Sequence, residues 1–112
     1  RDDYLYYDLL TLREPPMRIL FLLAKQFRQI CLTKKMSQEG LSQTEIASKL
    51  GVPSFVVRNL ASCARSYTVE ELENAVRDFV DAEEAVKTGT LGDVLSVELL
   101  IVKYSSARAV RA

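Results

Sequence analysis

Arg58 and Asn59 are the residues of this chain whose types and placement could do chemistry on a ligand. Both lie on the second helix of a helix-turn-helix pattern, GLSQTEIASKLGVPSFVVRNL from Gly40 to Leu60, where a side chain can reach the edge of a base pair. Each good bidentate base contact gives ~1–3 kcal/mol of discrimination, so two such residues supply at most part of a half-site. The start of that helix is poorly equipped as a reader, since within Pro53-Ser54-Phe55-Val56-Val57 only Ser54 is polar. From Leu41 to Arg65 the net charge is +2, a thin footprint for phosphates. Two uses of the unit stay open, a DNA-binding regulator working through Arg58 and Asn59 and a purely structural helical turn, and the charge favours the second.

Other chemistries find less support. The chain has no histidine, the commonest general base near neutral pH. Glu83 and Glu84 are adjacent, so on a helix they point in different directions, and their surroundings are too polar to raise a carboxylate pKa by burial. Two thiols, Cys31 and Cys63, cannot close a tetrahedral zinc shell, and both read as small buried hydrophobes in a reducing cytosol. No G-x-x-x-x-G-K-[ST] loop is present, and Lys87-Thr88-Gly89 reads as a helix end. No catalytic, cofactor-binding or metal-binding residue is therefore assigned.

The elements that carry these residues follow from capping and periodicity. Ser42-Gln43-Thr44-Glu45 is a capping box, with Leu41 and Ile46 at the staple positions around it. Thr68-Val69-Glu70-Glu71 is a second box, with Tyr67 and Leu72 as its staple. They predict helices over Gln43 to Leu50, ended by Gly51, and over Val69 to Thr88, ended by Gly89. Between them a helix from Pro53 to about Arg65 is expected to bury Phe55, Val56, Leu60 and Cys63. Ala47 is small where the two helices of the turn must approach.

Upstream, Glu14-Pro15-Pro16 ends a short Tyr-rich helix from Asp3 to Leu12, and Pro16 suits the first turn of the next. That next helix, Pro16 to Gln38, has Leu20, Leu23, Phe27, Ile30 and Cys31 as its apolar stripe and is apolar all round from Ile19 to Ala24. In the helix from Val69 the apolar side is Leu72, Val76, Phe79, Val80 and Val86. Val94 to Tyr104 is rich in β-branched residues, yet with no other strand to pair with it is expected as a helix, with Asp93 as its N-cap. Ser105 to Ala112 is expected to fray.

The fold class is therefore all-α, a bundle of about five to six helices containing a helix-turn-helix-like unit. A chain of 112 residues with 48% apolar content is one domain with enough core to fold without staples. Its opening on Arg1 rather than Met suggests a piece of a longer protein. No secretory signal or run of ~18 apolar residues points to a membrane. Net charge is zero but segregated: Arg13 to Met36 carries +5 and Thr68 to Glu84 carries −6. Such faces are either solvated or turned to each other or to partner subunits, and they bear on orientation more than on stability.

The order of these pieces resembles the C-terminal domain of the bacterial DNA polymerase III delta subunit. The resemblance rests on REPPMRILFLLAKQFRQ (Arg13 to Gln29), GLSQTEIASKLGVPSFVVRN (Gly40 to Asn59), ARSYTVEELENAVRDFVDAEEAVKTG (Ala64 to Gly89) and VLSVELLIVKY (Val94 to Tyr104). It implies a collar-type helical domain of the clamp loader in the bacterial cytoplasm, part of the DNA polymerase III holoenzyme, which places the sliding clamp on primed DNA. In that family the domain is non-catalytic and joins the gamma/tau and delta-prime subunits. The clamp and DNA would be met only through other parts of the full-length protein. On this reading residues 1–14 are the end of a preceding domain or a linker helix, 15–104 the collar domain and 105–112 the tail. Apolar residues left exposed on the Pro16 to Gln38 and Val94 to Tyr104 helices would form the subunit interface; the individual residues are not legible from the pattern.

Overall fold

The structure, a computed structural model, describes the backbone of residues 15–111 and the side chains of residues 15–103. Five helices, with no strand among the described residues, follow in order: α1 Pro16–Gln38, α2 Gln43–Leu50, α3 Ser54–Ala64, α4 Val69–Lys87 and α5 Asp93–Arg111. The helix expected over Asp3 to Leu12 lies outside the described residues.

Local hydrogen bonds set the helix boundaries. Pro16 opens α1 where its missing N–H costs nothing, and the Arg18 and Ile19 amides donate to the Pro15 carbonyl at 2.9 and 3.1 Å. At the start of α2 the Glu45 amide donates to Ser42 Oγ (3.2 Å) and the Ser42 amide to Glu45 Oε1 (2.9 Å). The same reciprocal pair joins Thr68 and Glu71 at the head of α4 (3.1 and 2.8 Å). Gly51 ends α2 at φ +70°, and the Val52 amide reaches back to the Ala47 carbonyl. That is the Schellman closure, and a side chain at Gly51 would be strained by the backbone itself.

The Ser42 amide, and after it the Ser42 hydroxyl, hold the Glu45 carboxyl below its ordinary value of 4.5. A depressed carboxyl adds stability above its unfolded pKa, and that stability disappears as pH falls through the folded one. Ser42→Ala removes the side-chain acceptor of this N-cap and should cost ~1 kcal/mol of stability at neutral pH. It should also raise the Glu45 titration midpoint in a carboxyl-carbon NMR titration. A stability unchanged by the substitution would show that the Ser42 hydroxyl does not cap α2 in solution.

The described residues pack as two compact units, one holding α1 up to Ala24 together with the chain from Arg77 onward, the other Lys25–Val76. The first unit buries Ile19, Leu20, Leu23, Ala24, Phe79, Val97 and Leu100. The second buries Phe27, Ile30, Cys31, Val57, Leu60, Tyr67 and Leu72 among others, with Phe27 and Tyr67 edge to face at 6.2 Å. Burial also raises the Cys31 thiol pKa.

Several sequence expectations need correction. Phe55 is exposed, because α3 turns Val57, Leu60 and Ala64 inward and Phe55 stands about 200° round the helix from Val57. Val80 is exposed too, since α4 buries Leu72, Ala75 and Phe79 on a narrower face. Within the run Ile19 to Ala24, apolar all round, Ile19, Leu20, Leu23 and Ala24 are buried and Phe21 is exposed. Asp93 is the first residue of α5 rather than its cap: the Ser96 amide bonds to the Gly92 carbonyl, and the Asp93 carboxylate accepts from the Val94 amide. The backbone stays helical to Arg111, past the boundary at Tyr104, because Ser105 to Arg111 contains no Pro or Gly to stop it.

Candidate functional site

The helix-turn-helix unit is sealed by its own small core. Ile46 and Ala47 of α2 and Val57 of α3 form it, with Met36, Leu41, Leu50 and Val52 packed around them. Ala47 is the small residue the close approach requires, and Leu41 joins Ile46 as the staple spacing implies. Arg58 and Asn59 stand exposed on the outside of α3, on the face of Phe55 by their helical spacing. That face presents one cation beside an exposed aromatic ring. With the net charge of +2 over the unit, we expect a labelled duplex to give a flat anisotropy titration at low salt up to tens of micromolar chain. Salt-sensitive binding abolished by Arg58→Ala would reverse this conclusion.

Lys34 is placed where sequence reasoning did not look. Its ammonium donates to the carbonyls of Ala64 (2.9 Å) and Tyr67 (2.6 Å), at the C-terminal end of α3 and in the segment leading to α4. A cation there adds a charged donor to the Ala64 carbonyl, which also accepts from the Tyr67 amide at 3.2 Å, and meets the negative end of the α3 dipole. The signal in the sequence is only a lysine next to the buried Thr33, which nothing local distinguishes from its neighbour Lys35. Lys35 instead pairs with Glu73 at 2.6 Å, and that hydrogen bond raises its pKa. At this point the basic and acidic stretches meet within the chain.

The other surface of note lies on α4 and α5. α5 buries Ser96, Val97 and Leu100 and leaves Leu95, Leu99 and Val102 exposed at four- and three-residue steps, with Val94 and Leu91 beside them. A helix with apolar residues on two sides has a second surface to cover. The exposed set borders a groove of about 340 Å³ whose apolar lining is Ala82, Ala85, Leu91, Leu99 and Leu100. Its charged lining is Asp78, Asp81 and Lys103, with Lys103 bonded to Asp78 at 2.6 Å. These residues supply the interface candidates that the pattern alone could not name. Their signal was present as a second stripe, Leu95-Leu99-Val102, offset from Val97 and Leu100. Among the described residues no three His, Cys, Asp or Glu side chains gather as metal ligands, and no helix is long and apolar enough to cross a membrane.

These features define an all-α domain with an embedded helix-turn-helix-like unit and an uncovered apolar helix face. The chain belongs to the family of the DNA polymerase III delta subunit, C-terminal domain, whose model matches residues 4–104. It is 34% identical over 99 residues to DNA polymerase III subunit delta of Bacillus subtilis (strain 168), covering 88% of this chain and 28% of that protein. The solved structure of the Bacillus subtilis DNA clamp loader delta protein (YqeN) is similar at a TM-score of 0.81 and 35% identity, over 88% of this chain and 29% of the other. The chain thus spans less than a third of the length of these relatives. Membership of this family disfavours the alternative of a helix-turn-helix regulator.

Proposed function

We propose that the chain is the collar domain of a clamp-loader delta subunit, a non-catalytic oligomerisation domain that joins the gamma/tau and delta-prime subunits. The sliding clamp and primed DNA would be engaged through other parts of the full-length protein. Family membership supports this reading, and one observation carries it: the exposed apolar face Leu95-Leu99-Val102 on α5. Fully burying one leucine is worth ~1.5–3 kcal/mol, so a face of this kind has a strong reason to be covered by another helix. A stable interface of ~1,200–2,000 Å² would have to extend beyond it, and Phe21, in the same compact unit, offers further exposed apolar area.

The test is assembly. Mixed at micromolar concentration with gamma/tau and delta-prime collar domains, the chain should elute from a sizing column as a heteromer. Independent elution of all components would count against the reading.

A further inference from the structure

We infer that a pocket in the second compact unit binds a carboxylate joined to an apolar side chain, either a free organic acid or the last residue of a peptide. Every residue that lines the pocket falls between Thr33 and Arg65, within one unit, so the site does not depend on the collar reading.

The pocket, of about 350 Å³, opens between α1, α2 and α3. Leu41, Ile46, Val57, Ala61 and Ala64 form its apolar wall. Its charged lining is Lys34 and Arg65, and no Asp or Glu lines it. Neither partner of Lys34 carries a negative charge, since both are carbonyls, and an ammonium has a third proton to donate. Arg65 is exposed and makes no ion pair among the described residues. Two cations without a counter-charge beside an apolar wall select an anion with an apolar body and reject a cation.

Two further features of the lining point the same way. Thr33 is 1% exposed, yet its hydroxyl has no hydrogen-bond partner, and a ligand oxygen would remove that cost. Gln43 opens α2, and the amides of a helix's first residues have no acceptor within the helix. The capping box occupies only the Glu45 amide and turns the Glu45 carboxylate to Ser42, so the positive end of α2 meets the pocket at Gln43. The C-terminal end of α3 would by itself repel an anion. Lys34, seated on the Ala64 and Tyr67 carbonyls, offsets it. The carboxylate would thus meet Arg65, Lys34 and the Thr33 hydroxyl, with the apolar side chain against Val57 and Ala61.

An NMR titration of the chain with N-acetyl-leucine tests this. Amide shifts should centre on Gln43, Ala61, Ala64 and Arg65 and saturate with a Kd on the order of 1 mM. N-acetyl-leucine amide, which lacks the carboxylate, and acetate, which lacks the side chain, should each bind roughly tenfold more weakly. Arg65→Gln, at an exposed position, should leave the thermal melt unchanged and weaken binding by about tenfold. Thr33→Val keeps the shape and deletes the unpaired hydroxyl, so it should melt no lower than wild type and bind about threefold more weakly. Arg58→Gln removes a cation from the outside of α3 and should bind as wild type does. A peptide ending in leucine that binds tighter than N-acetyl-leucine assigns the site to a partner's C-terminus; equal affinity assigns it to a free acid. Shifts that fail to saturate, an equal response to the amide, or wild-type affinity in both pocket variants would overturn the site while the collar reading stands.

Discussion

Phe79→Ala should lower unfolding stability by about 3–5 kcal/mol, while Val80→Ala, one residue on, should be neutral within about 0.5 kcal/mol. Phe79 is 2% exposed and among the largest fully enclosed side chains, so truncation loses its transfer energy and leaves a cavity. Val80 is 52% exposed and leaves none. Urea titration separates the two through the midpoint at constant slope. Against a typical total of 5–15 kcal/mol the first change is severe. Equal effects at the two sites would mean that α4 is rotated from the orientation described here.

Lys34→Met should cost about 2 kcal/mol, against little change for Lys35→Met. Methionine keeps most of the aliphatic length but removes both charge-assisted hydrogen bonds, leaving the Ala64 and Tyr67 carbonyls without that donor. Lys35 loses only an ion pair with Glu73 whose two side chains are each about two-fifths exposed, and water screens such a pair. Amide hydrogen exchange offers a second readout, because loosening should concentrate in the last turn of α3. Two adjacent lysines would then differ in role for no reason visible in the chain around them.

What residue order determined by itself is every element that closes over a few positions. The boxes Ser42/Glu45 and Thr68/Glu71, the glycine at the end of α2 and the proline opening α1 each act within five residues, so the sequence locates them nearly to the residue. The all-α class and the family follow from the same local grammar repeated in order. Only the tertiary structure decided which of two available apolar stripes faces inward. It chose Val57 over Phe55 on α3, Phe79 over Val80 on α4, and Val97 with Leu100 over Leu95 with Leu99 on α5. It also turned Lys34 from an apparent surface charge into a clamp reaching across 30 and 33 positions of chain. The reason is physical: a cap is a bond between near neighbours, whereas burial depends on which distant segment arrives, and periodicity fixes the spacing of a stripe without fixing its direction.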